Sequence, residues 1–163
     1  MANVHEWHKD EASGQYVQDA SVTIDAPCDV CFSAWSNFEF FPRIMRHIDK
    51  VENTSATTSH WEATIGGQHH KWEAETVDFV ANEVISWRST HGLRNSGEVR
   101  FTPQGSSCRI AVHLLYDPPY GVIGDLVAER QLNDKFHQSL VEDLRKFKEA
   151  VESGQIEHFR RAA

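Results

Sequence analysis

The sequence predicts an α+β fold, a curved antiparallel sheet of about seven strands wrapped around one long C-terminal helix, with two short helices after the first strand. Two patterns predict it. Apolar and polar residues alternate through most of residues 48–117, in runs separated by Gly, Asn and Pro, the pattern of antiparallel strands with one buried face. From Val122 to about Ser153 there is no proline, and Leu132, Phe136, Leu140, Leu144, Phe147 and Val151 step by four or three, which makes one continuous apolar stripe on a helix. A half-buried sheet has to cover its apolar face, and that helix is the available cover.

The elements follow in order. "YVQDASVTID" (16–25) carries Val17, Val22 and Ile24 and reads as the first strand. Pro27 then sits where a missing N–H costs a helix nothing, and Val30, Cys31, Ala34 and Trp35 follow at helical spacing. "FEFFPRIM" (38–45) is short and interrupted by Pro42, so it reads as a second short helix or turn. The meander places Trp61, Ala63, Ile65, Trp72, Ala74, Thr76, Ile85, Trp87, Ser89, Gly97, Val99, Phe101, Cys108, Ile110, Val112, Leu114 and Tyr116 on the inner face. Arg88, Arg100, Arg109 and His113 fall on the outer face. The helix presents Glu129, Lys135, Glu142, Lys146 and Glu149 away from its stripe, and Gly154 is a natural stop. About thirty residues at ~1.5 Å each give a rod of about 45 Å, enough to cross the sheet. The expected organisation is one domain over 16–153, with loosely held ends: an N-terminal extension over 1–15 and a tail over 154–163.

Composition narrows the function. The 163 residues suit one domain with a real core, and the formal net charge of −8 gives no support to nucleic-acid binding or to an anionic membrane as partner. No apolar run approaches the ~18 residues of a membrane span, so stable membrane insertion is not expected. The polar start "MANVHEWHKDEASGQ" lacks an apolar signal region, so a cytoplasmic location is expected.

The motifs that suggest chemistry resolve mostly toward structure. His69 and His70 in "GGQHHKWEAE" follow a Gly66-Gly67 turn, and neighbouring strand residues point to opposite faces. They do not converge on one ion, so no metal site is expected; His70 goes inward with Trp72 and is a candidate polar group at a cavity mouth. The three cysteines, Cys28, Cys31 and Cys108, do not suggest a secreted disulfide framework. Cys28-x-x-Cys31 opens a helix as dithiol redox sites do, but no βαβ pattern surrounds it. Cys31 reads as a small buried hydrophobe, and Cys28 as a reactive thiol without function. No nucleophile–base pair and no phosphate loop appears, and no cofactor is expected.

Four stretches carry a resemblance: "DAPCDVCFSAWSNFEFFPRIM" (25–45), "WEAETVDFVANEVISWRS" (72–89), "NSGEVRFTP" (95–103) and "VHLLYDPPYGVIG" (112–124). Together with the element order they resemble the START-like helix-grip superfamily, in particular its polyketide cyclase/dehydrase group, near the lipid-transport and coenzyme Q-binding proteins. The resemblance implies a cavity between sheet and helix that takes a hydrophobic small molecule: a lipid, a quinone or a polyketide-like aromatic. The residues expected to meet that ligand are Phe41, Ile44, His70, Trp72, Trp87, Ser89, Phe101, Tyr116, Tyr120, Ile123 and Phe136. The inward rings read either as pocket wall or as core filling. "DPPYGVIGD" (117–125) reads either as a gate with Tyr120, Val122 and Ile123 as lid side chains or as a plain connection. A binding protein or carrier is the expected function. The alternative is a cyclase, dehydratase or aromatase folding its substrate in the same cavity. A monomer and a homodimer are both compatible with the sequence.

Overall fold

A computed structural model describes residues 7–65, 67–118 and 125–156. Eight antiparallel strands form one sheet in the order β1-β2-β8-β7-β6-β5-β4-β3. In chain order they are β1 (Trp7–Lys9), β2 (Tyr16–Ile24), β3 (Ile48–Asn53), β4 (Thr58–Ile65), β5 (Gln68–Val80), β6 (Val84–Gly92), β7 (Asn95–Gln104) and β8 (Ser107–Tyr116). Helix α1 (Cys28–Trp35) and a 3₁₀ helix (Phe38–Arg43) lie between β2 and β3, and α2 (Leu126–Glu152) follows β8.

The curvature has a local cause. The β5–β6 pairing shifts between Glu73 and Ala74 and again between Thr76 and Asp78, and each extra residue bends and twists its strand. Gly92 closes the first irregularity. Its φ is +83°, and a Cβ there would stand 2.2 Å from the Lys71 carbonyl oxygen, so only glycine lets β6 come this close to β5. Gly97 serves the inner face: a Cβ would meet the Trp87 ring at 2.8 Å, so its absence leaves room for the indole. Arg88, Arg100 and Arg109 are exposed on the outer face, as the alternation requires.

The core lies between sheet, α1 and the C-terminal half of α2. Phe147, Ile24, Ile110 and Val99 are fully buried. Trp35 meets Phe147 edge-on at 4.9 Å, and Phe32 meets Phe101 at 5.3 Å.

Several expectations need correction. The sheet has an eighth strand, β1, inside the segment read as a loose extension; the Trp7 indole N–H donates to Asp134 Oδ1 at 2.7 Å and ties it to α2. Ile156, in the expected loose tail, is buried in the core. Helix α2 begins at Leu126, because the Asp125 side chain accepts from the N–H groups of Val127 and Ala128; residues 122–124 lie outside the described ones. Glu129 is buried rather than on the charged face. Cys28 is not a free thiol: it forms a disulfide with Cys108, 80 positions along the chain, with Cα atoms 5.0 Å apart. Cys31 is free and buried, as its helical position suggested. No helix among the described residues is long and apolar enough to cross a membrane.

Candidate functional site

Between the middle of α2 and the sheet lies a cavity of about 180 Å³. Period-two alternation supplies its floor: Trp61 and Ala63 from β4, Trp72 and Ala74 from β5, Ile85 and Trp87 from β6, Val112, Leu114 and Tyr116 from β8. Trp35, Phe38, Phe41 and Met45 close one side, and Phe136, Leu140 and Leu144 of α2 form the roof. Trp61 and Trp72 face each other across the β4–β5 pair, with rings stacked at 6.1 Å and 8°. No lysine or arginine is among the described lining residues.

Ser59, Glu75, Thr76 and Ser139 are polar members of the wall, and further polar groups gather at two places. At one, the Trp87 indole N–H donates to Asn95 Oδ1 (3.2 Å) and Asn95 Nδ2 donates to the Leu93 carbonyl (2.9 Å). The Tyr116 hydroxyl beside them donates to Asn133 Oδ1 (2.8 Å) and accepts from Gln18 Nε2 (3.1 Å). Gln18 is fully buried, and its Oε1 lies 2.9 Å from His137 Nδ1. This network joins sheet to helix and satisfies its own members.

The second place is different. Asp143, only 7% exposed, points from α2 into the cavity. Its Oδ1 accepts from the Arg46 backbone N–H (3.3 Å), and its Oδ2 stands 3.8 Å from His47 Nδ1. That ring nitrogen is buried and makes no hydrogen bond. Burial pushes the Asp143 carboxyl up to about 6, against the opposing pull of His47 and the Arg46 N–H. The fold therefore favours the protonated acid. The resulting penalty on stability is absent below the ordinary value of 3.8, builds as the pH rises from there to about 6, and is constant above that. Asp143→Asn is expected to leave urea stability unchanged at about pH 4 and to raise it by up to about 3 kcal/mol at about pH 8.

Residues 24–147 match the model of the family described as polyketide cyclase/dehydrase and lipid transport. The chain belongs to this family. An uncharacterised 17.2 kDa protein of Streptomyces lincolnensis is 26% identical over 84 residues, which is 51% of this chain and 56% of that protein, so the match spans little more than half the relative's length. Among solved structures, a Deinococcus radiodurans protein is 28% identical with a TM-score of 0.66, over 85% of this chain and 98% of its own. The Zhui aromatase/cyclase from Streptomyces sp. R1128 is 18% identical with a TM-score of 0.69, over 86% and 95%. A START superfamily protein of Mycobacterium smegmatis is 18% identical with a TM-score of 0.66, over 90% and 99%. The last two show the helix-grip fold.

Within this family fold, the expected site residues divide. Phe41, Trp72, Trp87, Tyr116 and Phe136 line the cavity. Ile44 and Phe101 lie in the buried core instead, the latter because α1 packs its Phe32 onto that end of the sheet. Ser89 is outside the wall, its hydroxyl accepting from the Asn95 N–H at 2.9 Å. His70 faces inward opposite Ala63 but beyond the lining, with a buried Nε2 that has no partner and a pKa lowered first by burial, then by His69. His69 points outward to Glu62 (3.0 Å). Tyr120 and Ile123 lie outside the described residues. Sequence reasoning missed His47, Asn95 and Asp143. For Asp143 a signal existed: it lies three residues after Leu140 and seven after Phe136, on the apolar stripe itself.

Proposed function

We propose that this protein binds a hydrophobic small molecule in the cavity beneath α2 and carries or sequesters it there. The observation that supports this most is the wall: stacked Trp61 and Trp72, with Trp87, Phe136 and Leu140, border a cavity of about 180 Å³. Apolar ligand surface moved from water into such a site contributes roughly 25 cal/mol per Å². A lipid, a quinone and a polyketide-like aromatic are the ligand classes in view, in a cytoplasmic protein that is a monomer or a homodimer. Native mass spectrometry of protein purified from its own host, followed by organic extraction, tests the reading. A stoichiometric apolar adduct is expected. A bare chain mass, with no fluorescence enhancement of an apolar dye, would overturn it.

A second reading has its own support. Burial pushes the Asp143 carboxyl up to about 6, so that it exchanges a proton closer to neutrality than an ordinary aspartate, and it stands 3.8 Å from the His47 imidazole in an apolar cavity. Such a pair suits proton transfer at a substrate carbonyl, as a cyclase, dehydratase or aromatase needs. Conversion of a poly-β-ketone to an aromatic product by the purified protein would decide for the enzyme.

A further inference from the structure

We infer that the ligand is a compact, uncharged ring compound carrying a carbonyl oxygen, and that this oxygen docks between Asp143 and His47. The inference rests on the reading that the cavity binds a ligand, and narrows it by size, charge and hydrogen-bonding demand.

Size comes first. The cavity of about 180 Å³ is little larger than the roughly 150 Å³ that an apolar protein cavity needs to take one benzene ring. One or two fused rings fit this volume. Charge comes second. Among the described lining residues there is no lysine or arginine, and a buried carboxylate or phosphate would meet the Asp143 and Glu75 carboxyls in the same wall, with the His47 imidazole as its basic partner there. That argues against a fatty acid and against a phosphate-bearing carrier.

Hydrogen-bonding demand then locates the oxygen. Around the cavity, Trp87, Asn95 and Tyr116 already satisfy one another or Asn133 and Gln18. The Ser59 hydroxyl accepts from the Trp61 indole (2.7 Å), and the Ser139 hydroxyl donates to the Lys135 carbonyl (2.9 Å). His47 Nδ1 is buried with no partner, and Asp143 Oδ2 stands 3.8 Å away, too far for a direct bond. An acceptor oxygen about 2.8 Å from each atom spans that gap with ordinary hydrogen-bond lengths. A carbonyl accepts from the Asp143 O–H and from an Nδ1–H of His47 together.

The docking is proton-linked. The groups that act on Asp143 are His47 and the Arg46 N–H from the turn before β3, and Glu142 and Lys146 on α2. Loss of the Asp143 proton replaces the donor by a carboxylate that repels a carbonyl oxygen. Affinity for the carbonyl should then fall as the pH rises through the acid's titration, while affinity for a plain hydrocarbon should not change.

Calorimetric titration of the full chain with 2-acetylnaphthalene, naphthalene and 2-naphthoate tests this. At about pH 5 the ketone should bind about tenfold tighter than naphthalene, and at about pH 8 that advantage should vanish, with naphthoate weakest. Asp143→Leu should keep naphthalene binding and abolish the ketone's advantage; Asp143→Asn, which donates at every pH, should keep the advantage and lose its pH dependence. Equal affinity for ketone and naphthalene at both pH values would overturn the inference and leave the cavity reading intact. Failure of all three probes to bind the folded wild type would overturn both.

Discussion

Cys108→Ala is expected to lower the unfolding free energy of the oxidised protein by roughly 4 kcal/mol, the loop-entropy value for a link that closes about eighty residues. The Cys28–Cys108 bond fastens the first turn of α1 to the start of β8, which are 80 positions apart in sequence. Without it, the unfolded chain gains freedom while the folded core loses little, because Phe32 and Trp35 still hold α1 in place. Urea unfolding with and without dithiothreitol checks this: reductant should destabilise the wild type by the same amount and leave the variant unchanged. Cys31 should not substitute as a partner, because burial pushes its thiol up to about 11 and keeps it protonated at neutral pH. A wild type indifferent to reductant would mean that the bond does not form in the protein as isolated. The same measurement bears on location, since a cytoplasmic setting keeps most such pairs reduced.

The strands of the meander and the long helix were legible because periodicity is a direct imprint of burial. Trp61, Trp72 and Trp87 point inward, and Arg88, Arg100 and Arg109 outward, from alternation alone. Strand β1 was not legible: three residues are too few for a period, and they are held by pairing with β2 and by the bond of Trp7 to Asp134, 127 positions away. The disulfide was hidden for a similar reason, since three cysteines allow three pairings and only the passage of β8 beneath α1 selects one. In the site, alternation showed which face each ring occupies and not whether the space before it is full. Phe101 and Trp87 share the inner face, yet Phe101 packs against Phe32 and Trp87 borders open volume. The polar residues Glu129, Asn133 and Asp143 all sit on the helix stripe beside Phe136 and Leu140 and are all buried. A charge on an apolar stripe is the signal the sequence carries for Glu129 and Asp143.

That distinction between filled and open space leads to the second large effect. Phe147→Ala should destabilise the protein by about 4 kcal/mol, because Phe147 is fully buried and its removal leaves a void in the packed core. The ring of Trp35 lies edge-on at 4.9 Å, and with the backbone of α2 fixed by its neighbours the site has little room to collapse. Trp87→Ala removes a larger ring at smaller cost, about 2 kcal/mol, because one side of that indole already faces the cavity and only the Gly97 side and the Asn95 hydrogen bond are lost. Ligand affinity should order the two variants the other way. Loss of the Trp87 wall should weaken 2-acetylnaphthalene by roughly tenfold, an ordinary value for one aromatic contact. Phe147→Ala, measured at a temperature where it remains folded, should bind almost as tightly as the wild type, since Phe147 does not line the cavity. Urea midpoints and calorimetric dissociation constants on the two variants give both orderings. A Trp87→Ala protein as destabilised as Phe147→Ala, with affinity unchanged, would show that Trp87 is core in solution and that the cavity wall lies elsewhere.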